Sequence, residues 1–147
     1  MKIQCQSEIS LSPERVFPWI AEPEKAMQWQ KNVQGGKIIK DNPEIVGTTF
    51  EEIIEEDGKS LTMKGIITQY VKNKLIGFHL VSKIHEVDVC YILEEIENAT
   101  KLSIEANIHW KFPLNVISIF MSKKMTKGIS AQLINEVQDL QQLCEGA

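Results

Sequence analysis

Paired carboxylates, three histidines and three cysteines are the residues of this 147-residue chain with chemistry to offer. The pairs are Glu51-Glu52, Glu55-Glu56 and Glu94-Glu95. Two carboxylates can divide acid and base work only where they face one another. All three pairs fall in stretches that read as strands, where adjacent side chains point to opposite faces, so none reads as a dyad. His79, His85 and His109 stand in no HExxH or comparable spacing. Cys5, Cys90 and Cys144 are far apart, odd in number and without a CxxC. No metal site and no cofactor is expected from them, and reduced thiols in the cytoplasm are the simplest reading. His79 alternates with the apolar Phe78 and is expected outside. His109 and Glu105 share the polar face of one run and read as a surface pair. A serine nucleophile would need an elbow such as GxSxG, and there is none.

The elements that would have to position a site are easier to read. The length fits one domain, residues 1–147, able to bury a core without staples. The formal net charge of −4 and pI near 5.4 lack the basic footprint of a nucleic-acid binder. The opening MKIQCQSEI has no apolar core after Lys2, which argues against a secretory leader. No run approaches the ~18 apolar residues of a membrane span.

Ile3, Cys5, Ser7 and Ile9 alternate as in a strand. Ser12-Pro13-Glu14 then opens a helix: serine suits the cap, proline the first position and glutamate the positive end of the dipole. Pro18 should keep that helix short or kinked. A second helix starts at Glu22-Pro23 and ends near Trp29. From about Asn32 to Trp110, β-rich runs lie between turn candidates at Gly35-Gly36, Asp41-Asn42-Pro43, Asp57-Gly58, Asn73-Lys74 and Asn98-Ala99. Three runs alternate clearly: Ile76/Phe78/Leu80, Val87/Val89/Tyr91/Leu93, and Leu102 through Trp110. One dry face and one wet face describe an antiparallel sheet covered on one side.

The cover is expected to be a helix over 113–144. Its apolar residues recur mostly four apart, at Ile117, Met121, Met125, Ile129, Leu133, Val137, Leu140 and Cys144. That stripe drifts around the helix, as suits a helix lying across a twisted sheet. Gly128 costs about 1 kcal/mol against alanine, which a close backbone approach or space for a ligand would explain. Val116, Ile119 and Phe120 fall off the stripe, with Lys123 and Lys127 on the face of Val116 and Phe120. Such a face fits a peripheral membrane surface or partner groove, a covering loop, or a homodimer contact, and the pattern leaves these open.

SEISLSPERVFPWIAEPEKAMQWQ, with its strand, "spe-VF" helix and helix ending in tryptophan, resembles the opening of the START-like (SRPBCC) superfamily. YILEEIENATKLSI resembles that superfamily's last hairpin. The resemblance covers essentially the whole chain. It implies an α+β helix-grip fold: a curved antiparallel sheet of six or seven strands, two short helices near the N-terminus and one long C-terminal helix. The superfamily includes pollen allergens, polyketide cyclases, coenzyme-Q-binding proteins and heat-shock-activator-like domains. Its landmarks here are structural, and no catalytic residue carries over.

By that resemblance a cavity is expected between the sheet and the first half of the long helix, near Met121, Met125 and Gly128, with Trp29 by the opening. Lining candidates are Trp29, Phe50, Met63, Phe78, Tyr91, Trp110, Met121 and Met125, each of which would serve equally to fill a core. Three functions fit: binding of an apolar small molecule (lipid, isoprenoid or polyketide-like), a cyclase- or dehydratase-type enzyme, and a protein-interaction domain. Whether chemistry follows binding is open at this point.

Overall fold

In the computed structural model, which describes residues 1–30, 32–56 and 58–146, the alternating runs become a seven-stranded antiparallel sheet. Its strands are β1 (Lys2–Ile9), β2 (Val33–Lys40), β3 (Thr49–Glu56), β4 (Lys59–Val71), β5 (Leu75–Val81), β6 (His85–Ile96) and β7 (Ala99–Trp110). The spatial order β1-β7-β6-β5-β4-β3-β2 is a meander closed on one side by the first strand. Asp57, of the expected Asp57-Gly58 turn, and the side chain of Glu56 lie outside the described residues.

The turns follow from residues that accept positive φ. Asn73 (φ 64°) turns β4 into β5, and Glu97 and Asn98 (φ 43° and 68°) form the two-residue link from β6 to β7. Two successive residues at positive φ match the twist of a tight hairpin. Gly35-Gly36 is no turn but lies inside β2, beside an irregularity in its pairing with β3. An irregularity in β4, between Ile67 and Gln69, hands the inward role from Ile67 to Tyr70.

Helix α1 (Pro13–Ala21) is short, as Pro18 requires, and buries Val16, Phe17 and Ile20. Ser12 sits at its N-cap in extended backbone, yet its side chain makes no capping bond. Helix α2 (Pro23–Ala26) is a single turn leading to Trp29. Trp29 is 1% exposed, and its indole Nε1 donates to the Trp19 carbonyl at 2.8 Å. The superfamily resemblance placed it near an opening; instead it is a wall of the core.

The long helix α3 (Leu114–Gly146) confirms the expected span but not a uniform packing. It breaks at Met121 (φ −117°, ψ 16°). After the break, Val137, Leu140 and Cys144 are buried in the main core with Ile9, Val16, Leu102 and Ile104. Before it, the stripe residues Ile117 and Met121 are exposed. The main neighbours of α3 are β1, β7 and α1, so it covers one side of the sheet rather than crossing its middle. A Cβ at Gly128 would meet nothing within 4 Å, so neither close approach nor room for a ligand explains that glycine. With α3 held to the β1–β7 side, the inner face of β3, β4 and β5 depends on α1 and α2 for cover.

Candidate ligand cavity

That cover is incomplete, and a cavity of about 820 Å³ remains. Its floor is the inward face of β3 to β6: Phe50, Ile67, Phe78, Leu80, Val89 and Tyr91. Its roof is the end of α1 and α2, through Ile20, Ala26 and Met27. Exposed Glu24 on α2 and Lys37 and Ile38 on β2 mark the mouth.

Alternation explains the floor. On β3, Phe50 and Glu52 are two residues apart and face inward together. Phe50 pairs with Gly65 on β4, and a Cβ at Gly65 would collide with the Phe50 ring, its Cε1 at 2.8 Å. Glycine there lets the ring lie down on the sheet. The aromatics then run edge to face across the floor, Phe50 to Phe78 at 5.7 Å and Phe78 to Tyr91 at 6.2 Å. Trp29 supports Tyr91 from behind at 6.3 Å, again edge to face. Aromatic quadrupoles favour this geometry, which fixes the walls without filling the space.

Glu52, Tyr91 and Gln30 bring polar groups to the apolar enclosure. Burial raises the carboxyl of Glu52 above the usual glutamate range. Burial likewise pushes the Tyr91 phenol well above its ordinary value, helped by the negative charges of Glu136 and Glu52 and partly offset by a side-chain hydrogen bond with Gln30. Gln30 itself lines the cavity. Tyr91 therefore stays a neutral donor at any physiological pH. The rim is charged on both sides: Lys37 lies 3.7 Å from Glu51, and Lys25 lies 3.1 Å from Glu22 with its ammonium 5.6 Å over the Trp19 ring.

The loop between β2 and β3 closes one end. Ile45 lines the cavity at φ 71°, a conformation that costs a β-branched residue of order 1–3 kcal/mol. The loop is over-determined by its own bonds: Asn42 Nδ2 donates to the Val46 carbonyl at 2.9 Å, and the Gly47 amide to the Ile67 carbonyl at 2.8 Å.

Of the eight residues expected to line a cavity, Phe50, Phe78 and Tyr91 do so. Trp29 stands behind Tyr91, and Met63, the β4 partner of Glu52 on the same face, is buried without reaching the cavity surface. Trp110 lies at the far end of β7, its ring 5.1 Å from His85. Met121 and Met125 sit at and just beyond the break in α3, away from the cavity. The expected position under the first half of α3 is thus replaced by one under α1 and α2. Sequence reasoning missed Glu52 and Gln30. The signal for Glu52 was present: it shares a face with Phe50, and dismissing the Glu51-Glu52 pair as a dyad passed over which of the two points inward.

A smaller hollow of about 320 Å³ lies largely among outward-facing residues, including Asp88, Cys90 and Glu105. Near it His79 is half-buried, its Nδ1 2.7 Å from Asp88 and its Nε2 3.8 Å from Glu86. Among the described residues, no three His, Cys, Asp or Glu side chains are arranged to hold a metal ion, and no helix is long and apolar enough to cross a membrane. Cys144 is buried, and burial with the nearby Glu145 charge raises its thiol to about 11.

The family model described as "Activator of Hsp90 ATPase homolog 1-like protein" matches residues 10–137. The chain belongs to this family. No curated protein matches it. Among solved structures, a START superfamily protein from Mycobacterium smegmatis is similar at a TM-score of 0.82 and 15% identity, covering 99% of this chain and 97% of the other. A protein from Thermus thermophilus is similar at 0.82 and 11% identity, covering 99% and 98%. The Zhui aromatase/cyclase from Streptomyces sp. R1128 is similar at 0.80 and 8% identity, covering 99% and 93%. At such identities the likeness is one of fold, and that fold is the helix-grip arrangement of the START-like superfamily.

Proposed function

We propose that this member of the Hsp90-activator-like family binds an apolar small molecule, of the lipid, isoprenoid or polyketide-like class, in the cavity beneath α1 and α2, within the cytoplasm. The observation that carries the reading is the cavity itself. Protein interiors normally pack to crystal density, so about 820 Å³ bounded by rigid aromatics is space kept open rather than a packing defect. Phe50, Phe78 and Leu80 contact the apolar body of the guest. Tyr91 and Gln30 present hydrogen-bond donors to its polar end, with the Glu52 carboxyl near them, so the guest carries an acceptor such as a carbonyl or hydroxyl oxygen. Native mass spectrometry of gently purified protein tests this: the reading expects a co-purified species of a few hundred daltons or more that organic extraction removes. Empty protein that also fails to bind a lipophilic fluorescent probe contradicts it.

One observation favours a second reading, an enzyme of the cyclase or dehydratase type. Glu52 is a carboxyl with a raised pKa beside a buried tyrosine in an apolar cavity, the arrangement general acid–base catalysis uses. Glu52→Gln separates the two. A pure binder keeps its affinity within a few fold, since glutamine keeps the size and polarity of the side chain, whereas an enzyme keeps binding and loses turnover of its guest. A pure interaction domain needs no open cavity, and the space under α1 and α2 speaks against that reading.

A further inference from the structure

The segment from Lys111 to Lys127 has a composition unlike the rest of the molecule. It holds four lysines and no acidic residue, in a chain whose formal net charge is −4. Its apolar side chains are the most exposed large ones of the described residues: Phe112 is 80% exposed, Ile119 74% and Phe120 83%, with Val116, Ile117 and Met121 also exposed. At 100° per residue, Val116, Ile117, Ile119, Phe120 and Met121 cover more than half the circumference of the helix before its break. Beyond the break come Lys123, Lys124 and Lys127, all exposed. The main neighbours of α3, namely β1, β7 and α1, leave this end uncovered.

Charge and shape together select the occupant. An isologous contact with a second copy would bring two lysine clusters against each other. A protein groove takes one apolar stripe of a helix, not more than half its circumference. The boundary of a lipid bilayer surrounds whatever enters it, and anionic headgroups meet the lysines at the same depth. We propose that Phe112 to Lys127 docks the protein on anionic bilayers, the apolar turn entering the headgroup boundary while Lys123, Lys124 and Lys127 meet lipid phosphate groups. This surface lies apart from the cavity and stands without it.

Co-sedimentation of the full chain with vesicles tests the proposal, comparing pure phosphatidylcholine with the same lipid containing phosphatidylglycerol. Binding is expected to the anionic vesicles, to weaken with salt, and to be slight on the neutral ones. Ile119→Ser/Phe120→Ser should bind at least tenfold more weakly with an unchanged unfolding midpoint, because both side chains are exposed in the folded protein. Lys123→Gln/Lys124→Gln/Lys127→Gln should lose roughly fivefold per lysine and most of the salt dependence. Leu80→Trp, inside the cavity, should bind vesicles like the parent. Equal sedimentation on neutral vesicles, an unaffected serine variant, or no binding at low salt overturns the proposal. A dimer that Phe120→Ser disperses, without vesicle binding, overturns it in favour of a second copy.

Discussion

The two halves of α3 carry the same apolar spacing and meet opposite fates. Leu133, Val137, Leu140 and Cys144 close the core against β1, β7 and α1, whereas Ile117 and Met121, on the same stripe, face water. A four-residue repeat therefore marks a face without saying whether anything lies beneath it. Full burial on the helix begins only at Val137, well past the break, and what the first half fails to cover is left to α1 and α2. That difference accounts for both the exposed basic-apolar end and the displaced cavity.

Substitution measures the contrast directly. Leu140→Ala, at a fully buried position, should cost about 2–5 kcal/mol in denaturant unfolding. Ile119→Ala, on the exposed half, should stay within about 0.5 kcal/mol of the parent. Comparable losses at both sites would mean that the first half packs against something after all. An effect smaller than that at Leu140 is expected at Gly65→Ala, where the new methyl meets the Phe50 ring. Overpacking there should cost about 1–3 kcal/mol and tilt Phe50 into the cavity, so probe affinity should fall with stability.

The gentlest test uses pH. Burial raises Glu52 in the folded state, so between the ordinary glutamate pKa and its raised value the folded chain holds a proton that the unfolded chain has released. Glu52 accordingly makes stability fall as pH rises through that window, with its contribution intact only below it. Glu52→Gln should flatten this part of the stability profile and raise the neutral-pH midpoint. A profile that keeps its slope in the variant places the titrating group elsewhere.

The fold was legible because strand alternation and turn residues are local. Phe78 and Leu80, Tyr91 and Leu93, and Leu102 and Ile104 all take the inward positions their period assigns, and Asn73 and Asn98 turn the chain where expected, the latter one residue early. The irregularities in strand pairing, before Gly35, after Ile38 and after Ile67, left no local mark beyond a glycine pair. The cavity was legible only through Phe50, Phe78 and Tyr91, whose faces alternation fixes. Its position depends on the path of α3, and residues 114–127 contain neither glycine nor proline to announce the break at Met121. Alternation also puts Glu52 on the face of Phe50, but that this face borders a cavity, with Gln30 at its edge, is a long-range fact that no short window of sequence contains.

The central claim is that the open space under α1 and α2 is a binding site. Titration of a lipophilic fluorescent probe into the parent, Leu80→Trp and Gly128→Leu, each first shown to be folded by circular dichroism, tests it most directly. The account predicts saturable binding by the parent, loss of at least tenfold in affinity in Leu80→Trp, and no change in Gly128→Leu, whose added side chain points into open space. Unaltered binding by folded Leu80→Trp, or loss confined to Gly128→Leu, would contradict it.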